Sequence, residues 1–363
     1  MARLTLRELE AASPRAREAY RKVAERARTS YFLSPAFVEL FLDSIPPRDQ
    51  PRLCLVERNG VAVAAFFLAR RQLFRHRILP SHAAFLNVTG DPRYDEITLE
   101  DNSVVRTEDA RLELESFVEL LPDGWDELFL PALDTAAFPG DALGQRLARA
   151  TVLVEREVPA PYVDLSKVRG APAGYPALLG KNTRAELRRA ERAYGELEVE
   201  VATSREHALE IFAELVELHQ ADWRARGAPG AFADPWFSGF HSRLVEARWP
   251  AGEVSLLRLR GGGKTVGCLY DFVWNGRVLY YQSGFVRSED PRAKPGFVCH
   301  AAAIRRAAAE GRVSYEFLAG SSRYKRSLAT DTRSLVWARV QRPRLRFTIE
   351  QRLRDARAAW LAR

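Results

Sequence analysis

Apolar residues recur along this chain with two spacings. One is near the helical period of 3.6 and the other near the strand period of 2. In the first half, helical spacing covers residues 14–27 and 34–44. The second of these opens with Ser34-Pro35, an N-cap followed by proline at the first helical position. Strand-like runs follow at 52–57, 61–73 and 84–88, and Asn59-Gly60 marks a hairpin between the first two. The pattern then predicts a helix over 108–121, a strand over 127–131, a helix over 142–149 and a strand over 152–158. The second half begins with a strand over 197–201. It continues with helices over 204–226 and 235–248, the first capped by Ser204 and stopped at Gly227. Strands at 254–260, 265–274 and 278–286 come next, with Asn275-Gly276 as the turn between the last two. A helix from Pro295-Gly296 to about residue 310, a strand over 313–318, a helical turn over 321–328, a strand over 334–341 and a terminal helix complete the pattern.

Each half therefore runs helix, helix, three antiparallel strands, helix, strand, helix, strand, and the second half adds a leading strand. That order fits an α/β (α+β) fold of two tandem domains, each a mixed, mostly antiparallel sheet flanked by helices. The punctuation from Pro159 to Pro176 sets the division. It gives an N-terminal domain over 1–160, a C-terminal domain over 161–345 and an Arg-rich terminal helix over 346–363.

At 363 residues, 47% hydrophobic and 28% charged, the chain has the composition of folded domains and not of a disordered segment. The net charge of +8 is unevenly spread. Residues 1–150 hold 20 basic and 23 acidic side chains, whereas residues 305–363 hold 15 and 5. A basic end of this kind points to an anionic partner. Three scattered cysteines and six histidines without an HxxxH or HExxH pair give no support for a metal site or a disulfide framework. The longest apolar run, 61–69, is too short to span a membrane, and the first residues lack a signal-peptide core. Together these point to a cytoplasmic protein without a transmembrane segment.

Several segments have a specific look. They are Lys181-Asn-Thr-Arg184-Ala-Glu-Leu-Arg188-Arg189, Leu218-His219-Gln-Ala-Asp222-Trp223-Arg-Ala-Arg-Gly227 and Tyr280-Tyr281-Gln282-Ser283-Gly284-Phe285. Pro295-Gly296 and Tyr315-Glu316-Phe317-Leu318-Ala-Gly320 with Tyr324-Lys325 follow in order. With the element order, they resemble the GNAT N-acyltransferase superfamily. The resemblance is to its tandem CelD/BcsL-like acetyltransferases, linked to polysaccharide biosynthesis, with Fem-type aminoacyl transferases as more distant relatives. It is specific between about 162 and 327. Glu316 stands where the family usually has Asp, and Asp222 precedes Trp223 where a basic residue is common. No run matches the Gly-rich phosphate loop of ordinary GNAT enzymes.

The resemblance implies acyl-CoA as co-substrate and an amine acceptor, such as an amino sugar, an amino acid or a polysaccharide precursor. The acyl group would pass directly within a ternary complex. An acyl carrier protein is a second candidate donor, and nucleic acid ranks below both. Pro295 and Gly296 open a helix whose free N–H groups and dipole suit an anion, with Arg287 adding charge. Gln282, Ser283 and Gly284 interrupt an apolar strand, which suits a bulge or a backbone contact with ligand. Alternation puts Tyr280, Gln282 and Gly284 on one face and Tyr281, Ser283 and Phe285 on the other. Lys325 is a candidate for stabilising developing charge and Tyr324 for returning a proton to the leaving thiolate. Glu316 is a candidate base acting through water, or else a partner for Arg323 or Lys325. His219, Asp222 and Trp223 share a helix face that suits the acceptor, with Tyr281 beside it. Lys181, Arg184, Arg188 and Arg192 fit a solvated helix face. Two other readings stay open: an aminoacyl-tRNA-dependent transferase of Fem type, and a non-catalytic anion-binding tandem fold.

Overall fold

The turn and cap signals act where the sequence places them. In the computed structural model, which describes residues 3–95, 99–138, 143, 146–350 and 352, Asn59 and Asn275 adopt positive φ in their hairpin turns. The side chains of Ser13, Ser34 and Ser204 cap the helices that follow them. The chain divides into one unit formed by Met1–Glu157 with Leu335–Arg363, and a second formed by Val158–Ser334. It leaves the first within one strand and returns to it within another.

The first unit contains β1 (Leu4–Glu10), α1 (Pro14–Ala24), α2 (Pro35–Ser44), β2 (Arg52–Arg58), β3 (Val61–Arg75) and β4 (Leu79–Leu86). These are followed by α3 (Pro92–Asp95), β5 (Val105–Arg106), α4 (Leu114–Leu120), β6 (Glu127–Asp134), β7 (Arg146–Leu147) and the start of β8 (Ala150–Asp164). Strands β1 to β4 form an antiparallel meander, and β6 lies parallel beside β4. The last part of β14 (Asp331–Gln341) adds to β6 antiparallel, Leu335 opposite Asp134. One side of this sheet buries Phe66, Phe117 and Trp125, and the other packs Tyr20 of α1 against Phe67.

The second unit contains α5 (Leu165–Gly170), α6 (Lys181–Tyr194), β9 (Leu197–Val201), α7 (Arg205–Ala225), α8 (Pro235–Arg248) and β10 (Val254–Gly261). Then come β11 (Lys264–Trp274), β12 (Arg277–Phe285), α9 (Pro295–Ala309), β13 (Ser314–Glu316) and α10 (Arg323–Leu328). Its sheet runs β9-β10-β11-β12-β13-β8, antiparallel except for β12 with β13. Both units thus have the mixed, mostly antiparallel sheet that the element order implies.

Three sequence expectations are corrected. The first half also has a leading strand: β1 is a half-buried edge strand whose Leu4/Leu6 alternation is broken by Arg7-Glu8. The helix expected over 108–121 begins only at Leu114. Thr107 ties its backbone to Val63 and its hydroxyl to Asp109, which holds the approach extended. In the region expected as a helix over 142–149, Arg146–Leu147 pairs with Ala150–Thr151, so strand pairing overrides local helix propensity. Residues 142, 144 and 145 lie outside the described residues. So does most of the terminal Arg-rich helix, residues 351 and 353–363; 345–350 are helical.

The charge asymmetry also changes meaning. Arg342 bonds to Asp123 at 3.0 Å and Arg344 to Asp126 at 2.8 Å, and Arg346 also pairs with Asp126. Arg339 reaches the fully buried Glu127 at 2.9 Å. These four arginines of the basic end are thus paired with acidic side chains of the first unit.

Gly284 of β12 sits against the backbone of α7. A methyl group there would overlap the Leu215 carbonyl and come within 2.7 Å of Leu218 Cβ. At Gly296 the nearest atom to such a methyl is 3.4 Å away. Gly284→Ala is therefore expected to destabilise the fold by about 1–3 kcal/mol in urea unfolding, whereas Gly296→Ala leaves stability within about 0.5 kcal/mol.

Candidate active site

In the second unit, the parallel pairing of β12 with β13 is short. It joins Arg277, Val278 and Leu279 to Ser314, Tyr315 and Glu316 and then stops. Past Glu316 the chain turns its N–H groups the other way, Phe317 to the Pro161 carbonyl and Gly320 to that of Pro159. β12 meanwhile stays paired with β11 as far as Phe285. The two strands diverge, and α9 begins near the open end of β12.

A bulge accompanies the divergence. Asp271 lies opposite Tyr280 and Tyr270 opposite Gln282, so Tyr281 has no opposite residue. One extra residue reverses the alternation, which corrects the faces read from sequence. Tyr280 and Ser283 now share a face, their hydroxyls 2.7 Å apart. Tyr281 and Gly284 face α7 and α8, Tyr281 bonding to His241 Nε2 at 3.0 Å and Gly284 packing on α7. The bulge expected near Gln282-Ser283-Gly284 is present one residue earlier. The small side of Gly284 is filled by helix, which corrects its assignment as a ligand contact.

On the α9 face, Tyr280 and Tyr324 converge with His300. The His300 ring lies 4.5 Å from that of Tyr280 and stacks on Tyr324 at 5.7 Å and 16°. Tyr280 donates to the Tyr324 oxygen, and Ser322 also donates to it. With its only proton so used, Tyr280 accepts from Ser283. Tyr324 thus receives two hydrogen bonds. Burial raises its pKa, and the two bonds act against that rise. The group stays a phenol at neutral pH, with its charge stabilised if the proton leaves. His300 Nδ1 is 2.9 Å from the Tyr315 hydroxyl, and its buried Nε2 has no partner.

Lys325 is half-buried beside Gly320 and donates to the Ala319 carbonyl at 2.9 Å. Glu316 is elsewhere engaged, which corrects its assignment as a base. Its buried carboxylate accepts from Ser314 Oγ at 2.6 Å and pairs with Arg277 at 3.1 Å and Arg333 at 3.4 Å. A carboxylate held by two guanidinium groups is a structural ion pair, and its partners are not Arg323 or Lys325. At the α9 N-terminus no side chain caps the free N–H groups of Gly296 and Phe297. Lys294 stands 3.7 Å from Glu186 there. Gly296 has ordinary φ and no steric conflict, so internal packing does not demand a glycine; close approach by a ligand would.

The proposed acceptor face is only partly brought together. His219 is buried, with its ring 5.0 Å from Phe232 and its Nδ1 3.0 Å from Gln220. Burial lowers its pKa. Trp223 is half-exposed, 5.9 Å from His219. Asp222 pairs with Arg226 at 2.5 Å and with Arg287 at 3.4 Å, which joins two residues assigned to different ligands. Tyr281 is a buried member of the His241, Tyr270 and Phe272 cluster, which corrects its placement at the acceptor. Sequence reasoning missed Tyr280 and His300. The available signal was a histidine on the apolar face of a helix opened by Pro-Gly, facing a Tyr-Tyr strand.

Burial holds both His241 and His300 at a pKa of about 3. Folded and unfolded chains are alike neutral at these sites above the ordinary value of about 6.5, so their stabilising effect is complete there. As pH falls below it, the unfolded chain takes up protons that the fold excludes. Unfolding free energy is expected to drop progressively as pH falls from about 6.5 to 5, the slope for each histidine approaching about 1.4 kcal/mol per pH unit. His241→Phe should remove one such share of the slope in urea titrations; an unchanged slope contradicts the assignment.

Comparison with known proteins places this geometry. Residues 180–326 match the family model described as acetyltransferase (GNAT) domain. No curated protein sequence matches the chain. Among solved structures, FemX is 10% identical, with 93% of this chain and 97% of that chain covered and a TM-score of 0.51. L-PGS from Bacillus licheniformis is 12% identical, with 93% and 95% covered and a TM-score of 0.50. A tandem GNAT protein from the clavulanic acid biosynthesis pathway is 13% identical, with 94% and 100% covered and a TM-score of 0.45. For FemX and L-PGS, at such identities, the likeness is one of fold. No metal-ligating group of His, Cys, Asp and Glu occurs among the described residues, and none of their helices is long and apolar enough to cross a membrane. The family match, set on a splayed β12–β13 pair and a Pro-Gly helix opening, makes the second unit a GNAT-type acyltransferase domain.

Proposed function

We propose that the protein transfers an acyl group from acyl-CoA directly to an amine acceptor, and that the cleft between β12 and β13 is where it does so. The observation that carries this reading is the convergence of Ser283, Tyr280 and Tyr324 in one hydrogen-bonded line at the splay, next to Lys325. Acyl-CoA supplies an activated thioester when bound. The N–H groups of Gly296 and Phe297, with Lys294 and Arg287 nearby in sequence, would hold its phosphates at the α9 N-terminus. The diverging strand edge of β12 would take the extended arm.

Attack by a neutral amine on the thioester carbonyl forms the C–N bond and places negative charge on the carbonyl oxygen. The ammonium of Lys325 counters that charge. As the C–S bond breaks, Tyr324 gives its proton to the sulfur, and Tyr280 and Ser322 stabilise the phenolate left behind. The proton lost by the amine nitrogen passes to solvent and restores Tyr324, so the products are an amide and a thiol. His219 and Trp223 on α7 are the residues proposed to meet the acceptor. The first unit would shape specificity without chemistry of its own.

Lys325→Ala and Tyr324→Phe are each expected to lower transfer from acetyl-CoA or a longer acyl-CoA by at least tenfold, with unchanged circular dichroism. Full activity in both variants would overturn the site. Mass spectrometry of the protein with cell extract and labelled acyl-CoA reads the acceptor. The fold shared with FemX and L-PGS favours an aminoacyl-tRNA donor as the second reading. Salt-sensitive RNA binding without acyl-CoA binding in calorimetry would select it.

A further inference from the structure

The second unit holds a cavity of about 500 Å³ at the other end of its sheet. It lies where α9 ends and β13 begins, beside the paired start of β12 and away from the Phe285–Pro295 end. Leu257, Val278 and Ala303 contribute apolar wall. A space of this size suits a small molecule, for which pockets usually measure about 300–1,000 Å³.

Its floor contains a group that the fold leaves unsatisfied. Asp271, in the middle of β11 between Ser255 and Tyr280, is 2% exposed and lines the cavity. Its Oδ1 is buried without a hydrogen-bond partner. Leaving a buried carboxyl oxygen without a partner is costly, so a ligand that supplies donors gains directly. At the mouth, Arg306 and Arg312 share one carboxylate, that of Glu310, at 2.5 and 3.3 Å. Two guanidinium groups against one carboxylate leave the rim with excess positive charge.

From this polarity we infer a second ligand site, distinct from the transferase cleft, for a small zwitterion. A protonated amine would donate to Asp271, an apolar body would lie along Leu257, Val278 and Ala303, and an anionic group would meet Arg306 and Arg312. The inference does not depend on the identity of the acyl donor or acceptor.

Titration calorimetry of the full chain with ε-aminocaproate and γ-aminobutyrate tests it, with hexylamine and hexanoate as the two halves of the longer probe. At least one amino acid is expected to bind with one-to-one stoichiometry, and each half at least tenfold more weakly than ε-aminocaproate where that is the binder. Asp271→Asn should weaken binding at least tenfold. Because a core substitution can impair folding, Arg312→Ala at the half-exposed rim gives the second reading, with the amino acid weakened and hexylamine unaffected. Saturation with CoA should leave binding in place. Absence of binding by both amino acids at millimolar concentration to folded protein, unchanged affinity in both variants, or complete competition by CoA would each overturn the site.

Discussion

The parallel pairing between Leu279 and Glu316 is the last hydrogen-bonded contact between β12 and β13, and the candidate chemistry depends on its ending there. Sheets are cooperative, and two strands that start in register tend to remain paired. Two local features prevent it here. The chain after Glu316 gives its N–H groups to the carbonyls of Pro161 and Pro159, on the far side of β13. The bulge at Tyr281 turns β12 and changes which side chains it presents. The phenol line of Ser283, Tyr280 and Tyr324 exists only because the bulge restores Ser283 to the face of Tyr280. Gly284 then lets β12 approach α7 closely, fixing the strand's other face.

Much of the architecture was legible because its signals are local. Asn-Gly turns, serine caps and Pro-started helices are decided by a few neighbouring residues. The bounds of α8 and β9 follow directly from them. What escaped depends on distant partners. Residues 146–147 have the composition of a helix and become a strand because Ala150–Thr151 lies alongside them. β1 is a strand because Arg52–Arg58 pairs with it. Likewise Arg339, Arg342, Arg344 and Arg346 read as part of an anion-binding region until Asp123, Asp126 and Glu127 are seen opposite them.

The site was legible as a set of segments and less so as a set of roles. Tyr324, Lys325 and Pro295-Gly296 stand near the divergence. Glu316, Tyr281 and Gly284 belong to the same motifs but serve the frame: an ion pair, an aromatic core and a helix contact. A motif preserves what the fold needs together with what chemistry needs, and periodicity alone does not separate them. A single extra residue at position 281 inverts the faces of every side chain beyond it. Alternation alone therefore puts Tyr280 and Ser283 on opposite faces, whereas the bulge brings them together.

The division of the chain has a consequence for biosynthesis. The first unit takes its last strand from Leu335–Gln341, whereas the second is one continuous stretch, Val158–Ser334. During translation the edge of β6 that receives β14 stays unfilled until residues 335–341 have been made. By then every residue of the second unit has already left the ribosomal active centre. The half of the molecule that begins first is therefore the half that finishes last. Its exposed β6 edge, where Glu127 is bonded to Arg75 and Ser81 but not yet to Arg339 and Gln341, is the feature that a nascent-chain chaperone would need to shield in the interval.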